Sequence, residues 1–328
     1  MLNTISKSAG AFYLTLLALP LALPLMSGSA TTAVVVMIFG IAAAACNLML
    51  GYAGLLSFAQ GTFFGVGSYA AGLLLRSHPD LGLGVLVLCA VAGAVAALII
   101  GMLSIRRKGI YFVMITLAMA QMAFFAALSF PDVTGGENGL LDIPRLSAGL
   151  DGILSESQSQ YLVVSVMFFL AFAFLRRVVR SPFGRVLDAV RENETRAQMA
   201  GYDVRRLKLL AFVISGSVTA LAGALYAIQL RSAPLSNIDL MMSETILIMA
   251  ILGGKRSLLG AVFGALLMTL MAEQLSQLWP RWQMIVGFVL ILTVLFAPSG
   301  IGGVSSQWRM SREKRKASGT HLSSKETA

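Results

Sequence analysis

Apolar residues run through this chain in long blocks, at roughly 11–27, 32–50, 54–75, 82–104, 109–130, 161–175, 209–230, 240–254, 258–278 and 283–298. A helix that crosses a bilayer needs about 20 mostly apolar residues, and most of the blocks approach that length. None shows the ten-residue alternation of a membrane barrel, and backbone groups in lipid must be satisfied within their own segment. The pattern therefore predicts an all-α, polytopic transmembrane helical bundle with about ten membrane segments over 1–304, and a polar, basic, disordered tail over 305–328. The first block has two readings, a cleaved signal sequence ending at Ala30 or a retained helix. Pro20 and Pro24 within it, and the apolar block that follows at once, favour the retained helix. The 240–278 stretch also has two readings: two crossings that turn at Gly253 and Gly254, or a half-inserted hairpin.

One stretch departs from the pattern. "LGYAGLLSFAQGTFFGVGSYAAGLL" begins at Leu50 and carries six glycines, a glutamine and three aliphatic hydroxyls, Ser57, Thr62 and Ser68. "GYAG" at Gly51–Gly54 is expected to interrupt the apolar run, giving a broken or re-entrant helix near 47–60. Gly61, Gly65, Ser68 and Gly72 then recur at spacings of three and four, a stripe of small residues that lets another helix approach closely. Gly93, Ala97 and Gly101 repeat the device, as do Ser215, Thr219 and Gly223. "GTFFG" at Gly61–Gly65 is echoed by "GAVFG" at Gly260–Gly264, which suggests two structural repeats. Asn47, Ser57, Gln60 and Thr62 are polar groups at membrane depth. They either bond neighbouring helices or line a substrate path, and the sequence weighs the two equally.

Charge then sets orientation. Between Arg176 and Lys208 there are nine Lys/Arg against four Asp/Glu, whereas 131–160 holds one Arg against five acids. Basic loops remain in the cytoplasm. Loop 176–208, "RRK" at 106–108 and the tail are thus assigned to the inside and loop 131–160 to the outside, an arrangement that ten crossings with both termini cytoplasmic satisfy. The net charge of +10 is accounted for by these clusters beside apolar blocks, so it is topology and not a nucleic-acid footprint. Only 12% of residues are charged and 57% are hydrophobic, far from the soluble norm.

Loop 176–208 is the most patterned polar segment. Ser181 followed by Pro182 is a helix start, and Phe183, Val186, Leu187 and Val190 fall at i, i+3, i+4 and i+7 on one stripe. A second short helix carries Ala197 and ends near Gly201, and Asp203 is placed to cap the next membrane helix. The apolar stripe calls for a cover, either the lipid interface or a groove on a partner protein. Glu192 and Glu194 among the arginines favour the protein partner.

Catalytic chemistry finds no footing. His78 and His321 are the only histidines, Cys46 and Cys89 lie within apolar blocks, and no metal-ligand spacing or cofactor motif occurs. "GGKRS" has Arg256 where a phosphate loop needs Ser or Thr, so the chain holds no ATP site of its own. An intramembrane enzyme lacks a nucleophile–base pair. An ion-coupled secondary transporter would bury carboxylates, and the candidates Glu244 and Glu273 fall near helix ends.

Four segments together carry a resemblance: "NLMLGYAGLLSFAQGTFFGVGSYAAGLL", "ITLAMAQMAFFAALSF" with "VTGGENGLLDIP", "SPFGRVLDAVRENETRAQMAGYDVRRLKLLAFVISG" and "GGKRSLLGAVFGA". The chain resembles the LivM-type branched-chain amino acid permeases of ABC importers over nearly its whole length. The resemblance implies an inner-membrane permease subunit for branched-chain or related small amino acids, with two ABC ATPase subunits, a second homologous permease and a periplasmic substrate-binding protein as partners. It implies that Phe183, Val186, Leu187, Val190, Glu192, Glu194, Ala197 and Gly201 belong to the ATPase-coupling loop. Against the importer motif E-A-A-x-x-x-G, Ala197 and Gly201 match, Thr195 and Arg196 replace Glu and the first Ala, and Glu194 stands one place early. In "GGKRS", Arg256 stands where relatives often have another glycine.

Overall fold

The computed structural model describes residues 2–144, 155–278 and 281–296, so the basic tail and part of the 131–160 loop lie outside the described residues. Helix is the dominant structure of those residues, which form no strand beyond one isolated antiparallel bridge, Leu140 to Ala233. In order come α1 (Leu2–Ser27), α2 (Ala30–Asn47), a π-helical turn (Leu48–Ala53), α3 (Gln60–Ser77), α4 (Gly84–Ser104) and α5 (Ile110–Ser129). The short α6 (Pro131–Thr134) follows, then α7 (Glu156–Arg180), α8 (Pro182–Glu192), α9 (Glu194–Met199) and α10 (Val204–Leu230). The last three are α11 (Leu240–Gly253), α12 (Leu258–Leu278) and α13 (Trp282–Phe296).

Among the described residues, six spans are long and apolar enough to cross a bilayer: Ala30–Ala53, Gly84–Ser104, Ile110–Ser129, Ser157–Arg180, Val204–Leu230 and Leu258–Gln277. Phe12–Pro24, Leu240–Gly253 and Gln283–Thr293 are apolar but shorter. Each of the ten apolar blocks contains a helix among the described residues, yet a block's length in sequence is not the length of a regular crossing. α11 has 14 residues, about 21 Å at 1.5 Å per residue, less than the roughly 30 Å of hydrocarbon.

α2 and α10 form the centre. From Thr32 to Asn47, α2 is buried at every position but Val35, and α10 packs along α3, α4 and α2. α4 and α5 instead turn apolar side chains outward, among them Val91, Ile99, Met114 and Phe125. Such a face is stable only against lipid or another apolar subunit.

Glycines allow the central helices to touch backbone to backbone. A side chain at Gly67 would strike the carbonyl of Ala220, and one at Gly223 the carbonyl of Phe64, so α3 and α10 cross with no room for a methyl group. The α11–α12 contact is built alike, Gly260 lying on the carbonyl of Gly253 and Gly264 on that of Met249. The stripe read from the sequence is divided among several neighbours. Gly61 faces Ser243 of α11, Gly65 faces Ile238, and Gly72 faces the side chains of Leu140 and Ile143, while Gly67 makes the tightest approach to α10.

Residues 140–143 lie across the end of the bundle where α3 and α10 finish. Leu140 and Ala233 exchange backbone hydrogen bonds (3.0 and 2.8 Å), and the Ile143 N–H donates to the Arg231 carbonyl at 3.0 Å. The Arg76 guanidinium donates to the carbonyl of Leu141.

Candidate functional site

At the opposite end, α8 and α9 form a bent pair beneath the bundle. The Ser181 hydroxyl accepts from the Gly184 N–H, Asn193 Oδ1 from the Arg196 N–H (2.9 Å), and Asp203 Oδ1 from the Arg206 N–H (3.2 Å). Each cap falls on a residue whose short oxygen side chain competes well for orphan helix donors. Gly201, at φ +87°, makes the reversal between α9 and α10.

The apolar stripe of this pair is covered by the chain itself. Leu187 is fully buried in a cluster with Met49, Ala53, Leu55, Phe63 and Phe212, and Phe183 packs against that cluster half-buried. Val190 and Ala197 are buried with Val204, with Val186 packed alongside. No partner groove is needed for these side chains, contrary to the sequence argument that the stripe requires an external cover. The periodicity located the buried face correctly, but period alone does not say which body buries it. Outward the pair presents Arg185, Ala189, Glu192, Thr195, Gln198 and Met199, the last 83% exposed, with Tyr202 at 48%.

Glu194 ties the pair to its neighbours. Its carboxylate meets Lys108 at 3.0 Å and Lys208 at 2.9 Å, joining the α4–α5 turn, α9 and α10. Partial burial pushes its pKa up, but hydrogen bonds and charge from Lys208 and Lys108 outweigh that and hold the carboxyl below the usual glutamate range. Glu192 lacks this engagement and stays exposed.

The helix break begins at this same end, within the 47–60 stretch where the glycines placed it. α2 passes into the π-turn, Gly54 adopts φ +69°, and residues 54–59 run without helix into the bundle. α3 then starts beside the middle of α10. Gln60 Nε2 donates to Ser215 Oγ (3.1 Å), the Thr219 hydroxyl donates to Gln60 Oε1 (2.8 Å), and the Ser215 hydroxyl donates to the Ala45 carbonyl (2.7 Å). Asn47 is equally committed: Nδ2 donates to the carbonyls of Gly254 (2.9 Å) and Ser257 (3.0 Å), and Oδ1 accepts from the Arg256 N–H (3.1 Å). Ser57 Oγ accepts from the Ala59 N–H at 3.2 Å. The Thr62 hydroxyl is buried and has no hydrogen-bond partner among the described residues. So Asn47 spends its amide on the α11–α12 turn and Gln60 on α10, and Thr62 is the one of the four whose polar atom has no partner among the described residues.

Carboxylates are absent from the buried set among the described residues, whose one charged member is Arg176. Glu273 accepts from the Thr32 hydroxyl at 2.8 Å in a groove between α2 and α12, and Glu244 is exposed. The described residues contain no cluster of three potential metal ligands.

The sequence profile of the family "Branched-chain amino acid transport system / permease component" matches residues 28–295. The chain is 27% identical to the high-affinity branched-chain amino acid transport system permease protein LivM of Escherichia coli, over 88% of this chain and 74% of that one. It is 28% identical to the probable branched-chain amino acid transport permease protein LivH of Methanocaldococcus jannaschii, over 76% of this chain and 83% of that one. A shorter match, 28% over 43% of this chain and 45% of the relative, is to the ribose import permease protein RbsC of Haemophilus influenzae. No solved structure matches. With six helices among the described residues long and apolar enough to cross a membrane, and a profile match that spans most of its residues, this chain belongs to the branched-chain amino acid transport permease family, as a multi-pass membrane permease subunit.

Proposed function

We propose that this chain is one half of the membrane path of an ATP-driven importer for branched-chain or related small amino acids, worked by separate ATPase subunits that dock on the outer face of α8 and α9. The observation that carries this reading is the α8–α9 pair itself: capped, packed on the bundle by its apolar stripe, and presenting Met199 and Tyr202 to the side away from it. An exposed apolar side chain beside a mixed-charge rim suits a protein partner better than anionic lipid, which disfavours Glu192. Glu192, Arg185, Met199 and Tyr202 are the contact residues under this reading. Phe183, Val186, Leu187, Val190 and Ala197 keep the pair rigid so that a push on it is transmitted, and Gly201 shapes its exit.

A second homologous permease covers the apolar face of α4 and α5 or an adjoining face. The LivM and LivH relatives support such pairing. The α2–α3–α10 interior is filled and hydrogen-bonded, so the path runs at the junction of the two permeases rather than through this chain. The chain crosses the inner membrane ten times with both termini and α8–α9 in the cytoplasm; α11 pairs with α12 as a full crossing extended by its flanking residues. A periplasmic binding protein delivers substrate to the 131–160 side. An ion-coupled transporter would need a carboxylate within the bundle, and the described core has none.

Reconstitution tests the proposal. Liposomes holding this chain with its partner permease, ATPases and binding protein should take up leucine only with ATP. Uptake by this chain alone under an ion gradient would refute it.

A further inference from the structure

Arg256 stands in the α11–α12 turn at φ +69°, a left-handed conformation that glycine holds without steric cost and arginine does not. The turn is stapled through its backbone. Asn47 binds the carbonyls of Gly254 and Ser257 and the Arg256 N–H, and the Tyr52 hydroxyl donates to the Arg256 carbonyl at 2.7 Å. A glycine would keep every one of these bonds, so the arginine side chain serves something else. Its guanidinium reaches α8 and meets Asp188 Oδ2 at 2.8 Å. Asp188 Oδ1 is buried without a partner among the described residues, so Arg256 is the group that holds this carboxylate. Three residues along the same face of α8, the Arg191 guanidinium donates to the Gly51 carbonyl, and its stem covers Gly54, where an added Cβ would stand 2.9 Å from Arg191 Cγ. The coupling helix thus grips both flanks of the break: the π-turn through Arg191 and the α11–α12 turn through Asp188.

We infer that Asp188, Arg191 and Arg256 are positioning residues for transport, forming a two-point link that carries displacement of α8 into the break between α2 and α3 and into the α11–α12 turn. This rests on the reading of α8–α9 as the seat of the ATPases and adds the route by which their motion enters the membrane. The elements it joins suit motion. π-turns and left-handed non-glycine residues are local departures from the regular helix that persist only while neighbours enforce them. Moving α8 shifts the groups that enforce both. The rival account is a static brace: a half-exposed ion pair that adds little to stability.

The complete importer in liposomes separates the two, with leucine as the transported probe. In Asp188→Arg and in Arg256→Asp the ATPases should still co-purify, while the ATP hydrolysed per leucine taken up rises about five-fold or more. The double reversal should return that ratio to within about two-fold of the unmodified importer. Unchanged ratios in both single variants, a double variant no better than the worse single, or loss of the ATPases from the singles would each overturn the link. Failure of the unmodified permeases to retain ATPases would instead overturn the docking reading beneath it.

Arg256→Gln, which leaves the backbone staples intact, supplies a second measurement. Amide exchange over 51–56 and 254–257 should respond to a non-hydrolysable ATP analogue in the unmodified complex and lose that response in the variant. A static brace predicts faster exchange by the same factor with and without nucleotide.

Discussion

Gln60 shows how a polar residue at membrane depth can be structural. Its amide joins α3 to Ser215 and Thr219 at the centre of the bundle. Gln60→Leu leaves the buried Thr219 hydroxyl without its acceptor, at about 1–3 kcal/mol, while Ser215 keeps its bond to the Ala45 carbonyl. The solubilised complex should melt earlier, and the apparent affinity for substrate in the surviving fraction should not move. A thermal unfolding scan paired with uptake kinetics checks this, and a large affinity change at unaltered stability would return Gln60 to the substrate path. Gly67 gives a companion case. Gly67→Ala drives a methyl into the Ala220 carbonyl and should cost about 1–3 kcal/mol through overpacking, whereas Gly84→Ala, with nothing within 4 Å, should be silent. Folded yield in detergent measures the contrast. The sequence exposed the small-residue stripe but not which member bears the closest crossing, because spacing fixes a face and only the neighbour's position selects the contact.

At the scale of the element, α8 and α9 were legible in unusual detail. Ser181–Pro182, the i, i+3, i+4, i+7 stripe and the Asp203 cap are local signals, set by residues within a turn of one another, and the structure shows each. What sequence could not supply was the other side of each contact. The stripe's cover is Met49, Phe63 and Phe212, residues distant in the chain, and the anchor of Glu194 is a pair of lysines from two other segments. That anchor has a pH signature. A carboxyl held below its ordinary range contributes stability fully above the unfolded glutamate value and loses it as pH falls through the folded value. Amide protection of 194–203 should therefore be flat at neutral pH and weaken in acid, below the usual glutamate range. Glu194→Gln should lower protection at neutral pH and flatten the acid response. Hydrogen exchange across a pH series reads both. The interruption of the helix was also legible, from Gly51 and Gly54; its contacts with α8 were not, since Arg191 lies far along the chain.

For the whole molecule, the orientation proposed above rests on the basic loops, and the buried state of Cys46 and Cys89 makes it straightforward to test. Cysteines placed at Arg107 and Gln198 should react with an impermeant maleimide only after the inner face is opened, and one at Glu137 should react from outside in intact cells treated to admit the reagent to the periplasm. Labelling of Arg107→Cys and Glu137→Cys from the same side would break the ten-crossing arrangement.

The central claim, that a motor outside this polypeptide seats on the exposed side of α8–α9, is tested most directly by a photo-reactive residue at Met199, with one at Met284 on the outward face of α13 as the control. On irradiation of the assembled importer, position 199 should form an adduct with an ATPase subunit whose yield changes on adding nucleotide, and position 284 should form none. Adducts from position 199 with lipid alone, in a preparation that still hydrolyses ATP and transports, would contradict the account.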